Sequence, residues 1–159
     1  MAPARSMVAA LSYAAPVLVA LLGPLLVVIP PATAAPTCGG KPATLVFGPG
    51  DNDVTGTPGD DVVVLGGGDD YYRPDPGGND IVCGGRGNDD IRTGAGDDVV
   101  FAGPGNDLVS NGSGRNVTSG GSGVDAIAFD VTIGVQVDLV KRRSTGGARD
   151  RWTSIETFN

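Results

Sequence analysis

Phe47 to Ala128 is one nine-residue phrase written nine times. It reads FGPGDNDVT (47–55), GTPGDDVVV (56–64) and LGGGDDYYR (65–73), and Pro74 then stands alone. It resumes as DPGGNDIVC (75–83), GGRGNDDIR (84–92), TGAGDDVVF (93–101), AGPGNDLVS (102–110), NGSGRNVTS (111–119) and GGSGVDAIA (120–128). Position four is always glycine: Gly50, Gly59, Gly68, Gly78, Gly87, Gly96, Gly105, Gly114 and Gly123. Position six is aspartate at Asp61, Asp70, Asp80, Asp89, Asp98, Asp107 and Asp125, and asparagine at Asn52 and Asn116. Position eight is apolar in all copies but one, Thr118. A fixed period of this kind decides the fold before local propensity does.

Each nonapeptide divides into a loop and a strand. Glycine accepts positive φ, so the first six residues can turn tightly. The last three carry β-branched or aromatic side chains in most copies, as in Val62-Val63-Val64, which suits a short strand. Side chains of a strand alternate between faces, so position eight points one way and positions seven and nine the other. Position eight is therefore the core. One residue inserted in a strand would exchange its faces, so Pro74 is expected in a loop. A flexible acidic linker would share this composition but not its strict spacing.

Composition narrows the chemistry. The 159 residues carry 18 acidic and 11 basic side chains, a formal charge of −7, with no histidine. Such acidity disfavours nucleic acid and anionic membranes as partners and suits a hard cation. Without histidine the usual zinc ligand, the Ser-His-Asp triad and the commonest general base are missing. The chain is expected to be no enzyme, with no catalytic residues.

The nonapeptide resembles the GGxGxDxUx repeat of the hemolysin-type (RTX) calcium-binding proteins. The resemblance implies an all-β fold, a right-handed parallel β-roll with two repeats per coil. Odd repeats stack in one sheet and even repeats in the other. Position-six carboxylates then form two columns, Asp61, Asp80, Asp98 and Asp70, Asp89, Asp107, Asp125. Carboxylates about 4.8 Å apart repel by about 3 kcal/mol at an effective dielectric of 20. Calcium takes six to eight oxygens from carboxylates and backbone carbonyls alike. The resemblance therefore implies several Ca2+ ions, held by those seven aspartates and by loop glycines Gly59, Gly68, Gly78, Gly87, Gly96 and Gly105. Asparagine pairs lose a charge and should bind more weakly. The acidic or amide residues of position five (Asp60, Asp69, Asn79, Asn88, Asp97, Asn106) are expected to hydrogen-bond within the loops.

Four segments are expected. Residues 1–34 read as a signal peptide: Arg5, an apolar run from Val17 to Ile29, and the small-x-small site Ala32-Thr33-Ala34. A retained membrane anchor is the rival reading. Residues 35–46 form an N-terminal cap with Leu45 in the apolar slot, residues 47–128 the roll, and residues 129–159 a small C-terminal β cap. In the last segment Val131 to Leu139 alternates as a strand, Lys141 to Gly147 reads as a turn, and Trp152, Ile155 and Phe158 recur every third residue. The tail also resembles the VxVDL…D.W..IE.F segments that border such arrays.

Cys38 and Cys83 are the only cysteines. In an exported chain they permit one bridge, closing about 46 residues and stabilising by about 4 kcal/mol in the chain-entropy picture; two separate thiols are the alternative. The outward residues of the even repeats, Val62, Val64, Ile81, Cys83, Val99, Phe101 and Val117, form an apolar strip ending at Ser119. A soluble protein covers such a patch or uses it. Thr37 to Val46, with Val131–Leu139 or Trp152, is expected to cover part of the strip. The remainder, around Val62, Ile81, Val99 and Phe101, is expected to meet a protein or cell-surface partner. These features point to a secreted, extracellular, non-catalytic calcium-binding roll. The alternative is a calcium-dependent accessory, secretion or targeting module of a separate exported enzyme or toxin, or a surface adhesin. The N-terminal leader differs from the uncleaved C-terminal export signal usual in the family.

Overall fold

The computed structural model describes residues 34–73, 77–129, 136–138, 143–145 and 150–158. The leader, Pro74 and Val131–Val135 lie outside them. The described residues from Pro36 onward carry sixteen strands and no helix. A short antiparallel hairpin comes first, β1 (Thr37–Cys38) with β2 (Lys41–Pro42). The chain then visits two sheets in alternation. One receives β3 (Leu45–Val46), β5 (Val62–Gly67), β7 (Ile81–Arg86), β9 (Val99–Pro104) and β11 (Val117–Ser122). The other receives β4 (Asp53–Thr55), β6 (Tyr71–Arg73), β8 (Asp90–Gly94), β10 (Leu108–Asn111) and β12 (Ala126–Phe129). Pairing within this array is parallel throughout. Two repeats thus make one coil of a β-roll, as the resemblance implies.

Position eight meets position eight across every junction: Val54 with Tyr72, Tyr72 with Ile91, Val63 with Val82 and Val82 with Val100. All nine position-eight residues are buried. The extra residue between the third and fourth repeats does not exchange faces, since Tyr72 and Val82 on either side are both fully buried. It only lengthens the pairing interval there, as in Val62 with Ile81.

Many of the strands are longer than three residues. Those of the even repeats run six, from position seven into position three of the next repeat. Position one lies two residues beyond position eight and so faces the core as well. Leu65, Ala102, Thr93 and Asn111, all at position one, are buried. Leu65 and Ala102 belong to the main apolar cluster, flanked by Leu45 and Phe47. At the eighth repeat two polar exceptions answer each other: Asn111 and Thr118 hydrogen-bond inside the core at 3.1 Å.

The tail extends the roll. β15 (Arg151–Thr153) adds in parallel to β11, with Trp152 beside Thr118, and β16 (Thr157–Phe158) adds to β12, with Phe158 in register with Ile127. Trp152 therefore sits on the core face, where it is buried, and does not cover the outer strip as expected. β13 (Gln136–Asp138) pairs antiparallel with β14 (Arg143–Thr145), which joins β15, so the expected turn over 141–147 contains a strand.

Cys38 and Cys83 are bonded. This seats the hairpin on the outer face of the even sheet, where a side chain on Gly39 would press on Ile81 and Phe101. Ile81 is buried, Val62, Val64, Cys83 and Val99 are half-buried, and Phe101 and Val117 remain exposed at 41% and 46%.

Candidate metal centre

The fold places each position-six residue just ahead of its strand. All seven expected aspartates are buried. They form the two expected columns, joined by one repeating bond: the backbone N–H of one coil donates to Oδ1 of the next. Asp61 donates to Asp80 (3.0 Å), Asp80 to Asp98 (2.9 Å), Asp70 to Asp89 (3.0 Å), Asp89 to Asp107 (2.8 Å) and Asp107 to Asp125 (3.0 Å). Outside them runs a parallel ladder of position-five residues. Asn79 donates its backbone N–H to Asp60, Asn88 to Asp69 and Asn106 to Asn88. Position five thus hydrogen-bonds as expected, but between the loops of neighbouring coils and not within one loop.

The columns continue past the ninth repeat. Asn116 donates its N–H to Asp150 (3.0 Å) and Asp125 to Glu156 (2.8 Å). Asp150 and Glu156 were not among the expected site residues. The signal is an acid two residues before an aromatic, Asp150-x-Trp152 and Glu156-x-Phe158. It repeats the six-to-eight spacing but comes six residues apart instead of nine.

The six expected glycines place their carbonyls between coils. Gly68 O lies against the α-carbon of Gly87, and Gly87 O against that of Gly105. Gly59, Gly78, Gly96 and Gly105 face Gly78, Gly96, Gly114 and Gly123 in the same way. A β-carbon at Gly87 or Gly105 would collide with that oxygen, and their φ values of +122° and +154° disfavour other residues as well. Position four is thus glycine for close stacking as much as for turning.

Oδ1 of Asp70, Asp80, Asp89, Asp98, Asp107 and Asp125 each accepts a backbone N–H, so the second oxygen decides the chemistry. In the column leading into β6, β8, β10 and β12, Oδ2 of Asp70, Asp89 and Asp107 is buried without a hydrogen-bond partner. In the other column, Asp61 Oδ2 accepts from the Thr57 N–H (2.7 Å) and hydroxyl (3.0 Å). Asp80 Oδ2 accepts from the Tyr72 hydroxyl across the core, at 3.3 Å. At Asp98 the nearby Thr93 hydroxyl opposes the rise of the pKa, but Oδ2 is buried without a hydrogen-bond partner, as in the first column.

Burial is the main force on these acids. It raises Asp89 to about 7, opposed by the Asp70 N–H and helped by the charges of Asp107 and Asp70. It raises Asp107 to about 6, with Asp125 adding to the rise, and Asp80 to about 6, with Asp98 and Asp61 adding. Burial and then the charge of Asp80 push the Tyr72 hydroxyl above its usual range. A buried carboxylate oxygen lacking a donor is costly unless a cation meets it. Among the described residues no three acidic, histidine or cysteine side chains converge on one point. Stacked carboxylates and glycine carbonyls form an all-oxygen donor set, which fits calcium.

Four overlapping copies of the RTX calcium-binding nonapeptide repeat match the chain, over residues 48–80, 77–91, 84–118 and 92–127. No curated protein and no solved structure matches it. These matches span residues 48–127, the stretch that builds both columns, and the chain belongs to the RTX calcium-binding nonapeptide repeat family.

Proposed function

We propose that the chain is a secreted protein without catalytic activity, whose loops close around several calcium ions. The observation that carries this reading is the buried, donorless Oδ2 of Asp70, Asp89 and Asp107 within a ladder of like charges. Asp61, Asp70, Asp80, Asp89, Asp98, Asp107 and Asp125 supply carboxylate oxygens. Gly59, Gly68, Gly78, Gly87, Gly96 and Gly105 supply carbonyls between coils. Calcium contributes the positive charge that lets the columns stack, so binding and folding are coupled.

The domain plan follows the same reading: a cleaved leader at 1–34, a cap at 35–46, the roll at 47–128 and a closing segment at 129–159. The leader-like N-terminus and the disulfide support an extracellular location. Circular dichroism of the purified protein tests the proposal. It should gain β structure at about millimolar calcium and lose it in chelator, with magnesium a poor substitute because it dehydrates reluctantly. Identical spectra in both conditions contradict it. A second reading, docking to a protein or cell-surface partner, draws on the apolar outer strip, where Phe101 and Val117 stay exposed beyond the hairpin's cover.

A further inference from the structure

The two repeats with asparagine at position six are not simply weaker versions of the others. Asn52 Nδ2 donates to Gly48 O (3.3 Å) and Gly50 O (2.6 Å) of its own loop, and to Asp70 Oδ1 of the next coil (2.8 Å). Asn116 Nδ2 donates to Gly112 O of its own loop (3.4 Å) and to Asp150 Oδ1 of the next coil (2.9 Å). Gly48 and Gly112 both occupy position two, so the two amides make the same bridge at opposite ends of the array. Each links a loop carbonyl to a carboxylate of the neighbouring coil. Those are two kinds of oxygen that a cation would draw together. An amide NH2 offers two N–H donors and no negative charge, so it can satisfy both. At Asp70, Asp89 and Asp107 the corresponding second atom is an oxygen with no donor.

We propose that Asn52 and Asn116 are built-in substitutes for calcium, closing the loops of the first and eighth repeats without an ion. This rests on the calcium reading above and assigns ions to the aspartate loops between them. Asn52 belongs to the first repeat and has no position-six residue before it, whereas Asn116 has Asp98 on one side and Asp150 of the tail on the other. The ends of a solenoid lack a neighbour on one side and need closure of their own. At Asn52 an amide-closed loop provides it at any calcium concentration.

The test compares Asp89→Asn, Asp89→Ala and Asn116→Asp in the full chain, by calcium titration calorimetry and by the calcium concentration at the folding midpoint. Both Asp89 variants should bind one ion fewer than the wild type. Asp89→Asn should fold at the wild-type calcium midpoint or below it, because the new amide replaces the ion. Asp89→Ala, which supplies no donor, should need about fivefold more calcium, the factor carried by one typical hydrogen bond. Asn116→Asp should bind one ion more and need more calcium to fold; Asn52→Asp repeats that measurement at the other end. Asp89→Asn behaving like Asp89→Ala overturns the proposal, as does an unchanged ion count in both Asn→Asp variants. A wild type that binds no calcium removes the underlying calcium reading as well, so the two failures are distinguishable.

Discussion

In the column leading into the six-stranded sheet, Asp70, Asp89 and Asp107 each bury an Oδ2 that no donor meets; in the column leading into the eight-stranded sheet, Thr57 meets Asp61 and Tyr72 meets Asp80, while Asp98 buries an Oδ2 without a hydrogen bond. Both columns have the same N–H to Oδ1 ladder, and the carboxylates of both are buried. They differ in what lies beside the second oxygen: a threonine at position two of one loop, and a tyrosine reaching across the core from another. Demand for a cation thus follows from the whole loop and the core behind it. The count of acidic residues does not predict it.

The largest expected effect is calcium removal. In chelator, amide exchange should rise across the roll, most steeply in the loops of Asp70, Asp89 and Asp107. A uniform rise in both columns breaks the distinction. Next in size is the difference between single sites. Asp89→Ala should lose more calcium-binding heat than Asp61→Ala or Asn52→Ala, because of these three residues Asp89 alone has a second oxygen with no protein donor. Equal losses by titration calorimetry contradict that ranking.

A pH series sharpens the comparison further. In the unfolded chain a carboxyl titrates near 3.9, whereas Asp89 is held at about 7 and Asp107 and Asp80 at about 6. Between those values the folded state binds more protons than the unfolded one. Without calcium, the fold should be most stable below about pH 4 and lose stability as pH rises through 6 to 7. Thermal melts in chelator from pH 4 to 8 check the sign, and a stability that increases with pH contradicts the assignment. The smallest effect is at Thr57→Val, which removes one of the two donors to Asp61 Oδ2. It should cost about 1 kcal/mol by denaturant melts and raise calcium affinity at that loop. An unchanged affinity with unchanged stability means that Thr57 does not stand in for an ion.

The period of nine was enough to place the core at position eight; the two sheets, and with them both carboxylate columns and the apolar strip that the hairpin partly covers, followed from the resemblance to the RTX repeat. Position one escaped because Leu65, Gly84, Thr93, Ala102 and Asn111 share no chemical type. They share only a parity along the strand, which shows once the strands are known to run past position nine. The tail escaped for a different reason. Asp150-x-Trp152 and Glu156-x-Phe158 keep the six-to-eight relation but abandon the nine-residue interval, so a search by period loses them. Trp152 then read as a lid for the outer strip, although its register with Thr118 turns it inward. The Tyr72 contact to Asp80 joins adjacent repeats through the core, and no pattern of loop residues announces it.

The bond between Cys38 and Cys83 turns the first part of the roll into a closed ring. Stacked repeats ordinarily fray from whichever end is looser, one unit at a time, and exposed turns are where proteases cut. Here a cut anywhere between residues 39 and 82 leaves both pieces covalently attached. Peeling from the N-terminus must also stop at the fourth repeat, because its strand β7 is tethered to the hairpin that would have to leave first. Unravelling is therefore directional and begins at the C-terminal end, so a protease-resistant core under reducing conditions should be shorter at its N-terminus than one under oxidising conditions.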